Sequence, residues 1–85
     1  MKIIINRCFG GFGFSDEAIS LGKAMGSDLG RTCPIMIRLL EEHGSEFISE
    51  PCAKLKVVEI PDGIEYTVEQ YDGMEWIAEV HRTWR

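Results

Sequence analysis

Two Asp-Gly dipeptides in the C-terminal third of this 85-residue chain constrain its fold more than any other feature. They follow Pro61 and Tyr71 and separate three runs, residues 55–60, 64–70 and 74–84, that are rich in β-branched and aromatic side chains. Such runs on either side of an Asp-Gly turn are typical of β-hairpins. Residues 55–84 are therefore predicted to form a three-stranded antiparallel meander.

The first of these turns is predicted to be a three-residue Pro-Asp-Gly loop with Gly63 in the left-handed conformation. A loop of this kind determines which residues of the two flanking strands lie opposite each other. The opposed pairs are Ile60 with Ile64, Val58 with Tyr66, and Lys56 with Val68.

The second turn is compatible with two registers. A two-residue Asp-Gly loop pairs Tyr71 with Met74, whereas a three-residue Tyr-Asp-Gly loop pairs Gln70 with Met74. The two-residue loop places alternate residues of the last strand on a polar face, which then holds Glu65, Thr67, Glu69, Met74, Trp76, Ala78 and Val80. The three-residue loop instead collects a continuous apolar face of Val58, Ile60, Ile64, Tyr66, Val68, Met74, Trp76, Ala78 and Val80. Because a one-residue slip moves every side chain to the other face, the continuous apolar face favours the three-residue loop.

In that register the opposite face of the sheet is acidic. Its carboxylates are Glu59, Glu65, Glu69, Glu75 and Glu79, with Glu69 opposite Glu75. Like charges that lie directly opposite each other destabilise a sheet. Two interpretations remain open, a solvated face that discourages aggregation and a contact surface for a basic partner.

The first half of the chain predicts one strand and two helices. Residues 3–5 are consecutive isoleucines, which are typical of a strand buried on both faces. Ser15 is predicted to cap a helix over 16–25, and a second helix is predicted to start near Thr32 or Cys33 and to end before Gly44. The core-facing side chains expected from these helices are Ala18, Ile19, Leu21, Met25, Ile35, Met36, Leu39 and Leu40.

Together these elements predict a single α+β domain over residues 1–85. Its order is β1-α1-α2-β2-β3-β4, with a further turn of helix around Phe47 and Ile48 before the meander. The antiparallel sheet is expected to have about four strands, with both helices packed on the face that holds Trp76.

The segment between β1 and the first helix is rich in glycine and phenylalanine. A glycine-rich loop between a strand and a helix can bind phosphate, but this loop contains no Lys or Arg and is followed by Asp16 and Glu17. We therefore expect a tight turn from which Phe9, Phe12 and Phe14 fold onto the core. The alternative is a binding site for a small ligand, such as a nucleotide second messenger, formed by Asn6, Arg7, Gly10, Gly11, Gly13, Arg82 and Trp84.

Composition narrows the classes of function. The net charge of −5 argues against direct binding of nucleic acid, which requires cationic groups for phosphates. Cys8, Cys33 and Cys52 lack the C-x-x-C spacing of a metal or redox motif, so free thiols and no metal or cofactor are expected. A nucleophilic Cys8 paired with His43 or His81 has no recognisable motif around it, and the chain is not expected to be an enzyme. No signal peptide or membrane span is evident, which predicts a cytoplasmic protein without membrane contact.

Both ends of the chain resemble a family of small proteins encoded by bacteriophages and prophages. The matching motifs are KIIINRCFGGFGFS at 2–15, VVEIPD at 57–62, YDGMEWIAE at 71–79 and HRTW at 81–84. Residues 26–51 match loosely, and Cys33-Pro34 stands where the relatives tend to have Asp-Pro. The resemblance supplies a context rather than a mechanism.

That context implies a function for the acidic face. Small acidic phage proteins often occupy a surface of a host protein, and host immune systems such as CRISPR are frequent targets. The predicted function is a phage-encoded, non-catalytic inhibitor of a host defence protein, of the anti-CRISPR or another anti-defence type. The predicted partner is a host protein, and defence components that bind nucleic acid belong to this class. The sequence leaves homo-oligomerisation open. A ligand-sequestering module built on the glycine-rich loop is the alternative.

Overall fold

A computed structural model of the chain describes residues 1–51 and 53–79 and the backbone of Thr83 and Trp84. The α+β class is confirmed, and the predicted elements occur in the predicted order, including the turn of helix around Phe47 and Ile48. A short fifth strand is added. The elements are β1 (Lys2–Asn6), α1 (Asp16–Ala24), α2 (Pro34–His43), α3 (Ser45–Ile48), β2 (Leu55–Glu59), β3 (Tyr66–Tyr71), β4 (Met74–Glu79) and β5 (Thr83–Trp84).

Among the described residues the strands form two sheets rather than the one expected. β1 pairs with β2 in an antiparallel sheet, and β3, β4 and β5 form a second sheet in that order. The predicted pairing of β2 with β3 is therefore wrong. Gly63 does have the predicted positive φ of 78°, but the loop leads the chain into the second sheet instead of folding β3 back beside β2.

The β1–β2 sheet is the middle layer of the molecule. Ile4 faces a core built with the helices, whereas Ile3 and Ile5 face a second core that includes Ile77 of β4. All three isoleucines of β1 are at most 1% exposed, which confirms the predicted strand buried on both faces. This need for apolar cover on both sides explains why β1 and β2 pair here, between the helices and the second sheet.

The helices start and end largely as predicted. Ser15 caps α1 by accepting a hydrogen bond from the Ala18 backbone N–H at 3.1 Å, Pro34 opens α2 and Gly44 follows it. The predicted inward orientation of Leu21 and Met25 is wrong, because they are 37% and 44% exposed.

Close packing between α1 and α2 accounts for that difference. A Cβ atom at Gly22 would lie 2.6 Å from Met36 Sδ, so the face of α1 that carries Ala18 and Gly22 approaches α2. Small residues permit this approach, and Leu21 is turned outward by it. The buried residues of α2 are Met36, Ile37, Leu39 and Leu40.

The β3–β4 hairpin has the two-residue loop. Tyr71 pairs with Met74, and Asp72 and Gly73 have φ angles of 53° and 90°, as in a type I′ turn. The three-residue loop favoured above is therefore wrong. Ile77, and not Trp76, faces the core opposite Val68.

The corrected register also overturns the expected contact between the helices and the Trp76 face. The helices pack on the β1–β2 sheet, and the second sheet lies on the other side of that sheet. Met74, Trp76 and Ala78 point away from both cores. Val80 lies outside the described residues.

Candidate protein-binding surface

Glu75 does not belong to the predicted acidic face, because its side chain is buried in the interior. Both of its carboxylate oxygens are bound by Arg31, with Nη1 to Oε1 and Nη2 to Oε2 at 2.7 Å each. The Asn6 backbone N–H also donates to Oε1 at 2.8 Å. Glu69 lies opposite Trp76 rather than opposite Glu75, so the predicted pair of facing carboxylates is wrong. The one-residue change of register moved Glu75 to the inner face, where Arg31 compensates its charge.

Asn6 holds the same junction together through its side chain. It is fully buried, and its Nδ2 donates to the carbonyl oxygens of Cys8 and Gly73 at 2.7 Å each. Its Oδ1 accepts a hydrogen bond from the Lys54 backbone N–H at 2.8 Å. A buried amide that is satisfied in this way joins segments of the fold, and its groups are not available to a ligand.

The glycine-rich loop docks on the β3–β4 turn. The Gly10 N–H donates to the Asp72 carbonyl at 2.9 Å, and a Cβ at Gly73 would lie 2.7 Å from Gly11 Cα. Arg7 Nη1 donates to the Glu75 carbonyl oxygen at 2.7 Å. The described members of the predicted ligand site thus make contacts within the fold.

Only one of the three remaining members of that ligand site lies fully within the described residues. Gly13 packs against the Glu50 carboxylate, Arg82 lies outside the described residues, and Trp84 is described through its backbone in β5. No contact among the described residues favours the small-ligand alternative.

The phenylalanines of the loop divide between core and solvent. Phe14 is buried, and Phe12 packs edge-on against it with ring centroids 5.1 Å apart. Arg31 Cζ lies over the ring of Phe12, 3.9 Å from its centroid. This cation–π contact joins Phe12 to the Arg31–Glu75 pair. Phe9 is 58% exposed, so its predicted packing on the core is wrong.

The described thiols do not form the Cys-His arrangement considered above. His43 stacks on Phe47 with ring centroids 4.7 Å apart, while His81 and Cys52 lie outside the described residues. Cys33 precedes α2, where a hydrogen bond with the Ser27 hydroxyl at 3.2 Å and the nearby backbone amides lower the pKa of its thiol. In the described part of the chain no group of three or more His, Cys, Asp or Glu side chains is placed to hold a metal ion.

Three of the five predicted carboxylates stay together around a groove beside β3, which we call the acidic groove. The groove is open, has a volume of about 390 Å³, and is lined by Glu65, Tyr66, Thr67, Glu69, Ala78 and Glu79. Thr67 Oγ1 donates to Glu69 Oε1 at 2.7 Å and orients that carboxylate. None of these three carboxylates forms an ion pair with a cationic group in the described residues.

The other two predicted carboxylates lie elsewhere. Glu59 of β2 is opposite Lys2 in the first sheet, and Glu75 is bound by Arg31. The sequence signal for the inward position of Glu75 is the Asp72-Gly73 dipeptide, because it is the strongest indicator of a two-residue type I′ loop. No pattern in the sequence points to Arg31 as the partner of Glu75.

The acidic groove adjoins an outward face that no described helix or strand covers. This face carries Thr67, Glu69, Tyr71, Met74, Trp76 and Ala78. Tyr71 is 70% exposed. Aromatic side chains and methionine are enriched at protein–protein contacts, with polar groups at the rim. The residues of this face therefore have the chemistry of a protein-binding surface.

The chain matches no family model, and comparisons with curated proteins and with solved structures find no significant similarity. Among the described helices none is sufficiently long and apolar to cross a bilayer.

Proposed function

We propose that this chain is a phage-encoded inhibitor that binds a host bacterial defence protein and acts without catalysis in the host cytoplasm. Its contact surface is the acidic groove together with the outward face of β3 and β4. The observation that carries the proposal is the set of three carboxylates that have no ion-pair partner among the described residues and lie beside an aromatic, methionine-containing face.

The charges indicate what kind of protein surface would fit. Glu65, Glu69 and Glu79 would be complemented by Lys and Arg side chains, and such complementarity gives specificity and fast association. Defence proteins that bind nucleic acid carry basic surfaces for phosphate contacts. An acidic protein that occupies such a surface would block it by competition. The resemblance of both chain ends to phage proteins supports a target in the bacterial host.

A phage-plating assay tests this proposal. The chain is expressed in bacterial strains that each carry one defence system, and plating of a phage sensitive to that system is measured. We expect plating to be restored in at least one strain. The Glu65→Lys/Glu69→Lys/Glu79→Lys variant should lose this effect, because its charges would repel a basic partner.

The matched control reverses three exposed carboxylates of α2 and α3, in the variant Glu41→Lys/Glu42→Lys/Glu46→Lys. It changes net charge by the same amount and breaks exposed ion pairs of Glu41 and Glu42, which contribute little to stability. This control should retain activity. The proposal is wrong if no strain is affected, or if reversal at the groove and reversal at the helices have the same effect.

A further inference from the structure

We infer that the partner binds by adding an extended strand to the free edge of β3, and that this strand alternates basic and apolar residues. The inference rests on the proposed function and specifies its mode of binding. It follows from three features of β3, which are its open edge, the charge on one of its faces and the apolar margin on the other.

The register of the hairpin determines which backbone groups of β3 are open. A two-residue type I′ loop makes Tyr71 and Met74 a hydrogen-bonded pair, and hydrogen-bonded and non-hydrogen-bonded pairs alternate along an antiparallel ladder. Thr67, Glu69 and Tyr71 therefore direct their N–H and C=O groups towards β4. The residues that direct these groups to the opposite edge are Tyr66, Val68 and Gln70.

That opposite edge of β3 has no partner among the described residues. β3 is the terminal strand of its sheet in the order β3-β4-β5, and no backbone hydrogen bond from the rest of the described chain reaches it. An open edge is a template for a further strand, and peptide recognition by strand addition uses such edges.

The two faces of β3 call for different side chains on the added strand. On the outward face, Glu69 and the neighbouring Glu65 line the acidic groove, so residues beside them are best matched by Lys or Arg. On the inward face, Tyr66 and Val68 are half-buried at the margin of the second core. Apolar residues of an added strand would extend that core. An alternating basic–apolar segment satisfies both faces because side chains alternate along a strand.

A second copy of this chain is a poor occupant of the same edge. Pairing β3 with β3 would bring Glu65 and Glu69 of the two copies together across the seam. Like charges in such positions destabilise strand pairing. This edge therefore disfavours β3 of a second copy and favours a basic strand.

Hydrogen exchange of the backbone amides tests this mode of binding directly. The probe is the acetylated and amidated peptide Lys-Val-Lys-Val-Lys-Val, added to the full chain at low salt and followed by NMR. We expect the amides of Tyr66, Val68 and Gln70 to exchange about ten-fold more slowly when they become hydrogen-bonded to the peptide. The amides of Thr67 and Glu69, which already bond to β4, should change much less.

Two controls make the result specific. The peptide Glu-Val-Glu-Val-Glu-Val should give no protection, and the Glu65→Lys/Glu69→Lys variant should lose the protection by the basic peptide. The Glu41→Lys/Glu46→Lys variant should keep it. The inference is overturned if the basic peptide gives no alternating protection or if both peptides protect equally. It is also overturned if the chain is a dimer in size-exclusion chromatography and the amides of Tyr66, Val68 and Gln70 are already protected without peptide.

The outcome separates this inference from the proposed function. Alternating protection without an effect in the plating assay would leave the strand-binding edge in place and remove the inhibitor function. Restored plating without alternating protection in the complex with the identified defence protein would keep the inhibitor and remove strand addition.

Discussion

The carboxylate of Glu75 shows how one buried charge can join distant parts of a small protein. Its partners come from β1, through the Asn6 N–H, and from the segment before α2, through Arg31. The Glu75 side chain is 8% exposed and the Arg31 side chain 30%. Removal of one partner from such a pair leaves the other charge without compensation, which costs more than the intact pair contributes.

We therefore expect Glu75→Gln to destabilise the protein. The loss in free energy of unfolding should be about 2–3 kcal/mol, at the low end for a buried pair because Arg31 is partly hydrated. Urea denaturation followed by circular dichroism measures this change. Glu69→Gln on the same hairpin is the control and should change stability by less than about 0.5 kcal/mol. Equal effects of the two substitutions would contradict the structural role of the Glu75–Arg31 pair.

The β3–β4 turn is the element that sets the register of the second sheet and receives the glycine-rich loop. Gly73 has a φ of 90°, and a Cβ atom there would collide with the backbone of Gly10 and Gly11. Gly63 in the other Asp-Gly turn has a similar φ of 78°, but a Cβ atom there would meet nothing within 4 Å. A side chain at Gly63 would therefore cause backbone strain alone, whereas a side chain at Gly73 would cause backbone strain and a steric collision.

The Gly73→Ala and Gly63→Ala variants should differ accordingly. Gly63→Ala should lower the free energy of unfolding by about 1–2 kcal/mol, the cost of a left-handed L-residue. Gly73→Ala should lower it by about 3 kcal/mol or more, because the loop must also move away from the turn. Thermal and urea unfolding measure both. If the two losses were the same, the glycine loop would not be packed on the hairpin as described.

The molecule as a whole is arranged around the β1–β2 sheet, whose two faces contribute to different cores. Ile4 belongs to the core shared with the helices, and Ile77 belongs to the core between the sheets. Both side chains are fully buried. Since one thin sheet supports both cores, loss of either should unfold the entire domain.

Ile4→Ala and Ile77→Ala should each destabilise this single folding unit by about 2–5 kcal/mol. Far-ultraviolet circular dichroism reports chiefly on the helices, and tryptophan fluorescence reports on the second sheet, where Trp76 lies in β4. We expect the two signals to give coincident transitions in the native protein and in both variants. Separate transitions, with fluorescence changing first in Ile77→Ala, would show that the second sheet folds independently.

The features that the sequence predicted correctly depend on residues close together in the chain. Ser15 caps α1, Pro34 starts α2, and consecutive isoleucines make a strand buried on both faces, because caps and periodicity are local properties. The Asp72-Gly73 dipeptide also carried the correct register. A continuous apolar face indicates the other register, but only if all the strands belong to a single sheet.

The features that the sequence did not predict depend on contacts between distant segments. Arg31 and Glu75 are 44 positions apart. No local pattern shows that a carboxylate of an alternating strand will pair with an arginine on the buried face of the sheet. The partner of β2 was likewise decided by the need of β1 for cover on both faces. Local propensities thus specified the elements and their turns, whereas burial and charge compensation between layers decided the pairing of strands and which glutamates remain on the surface.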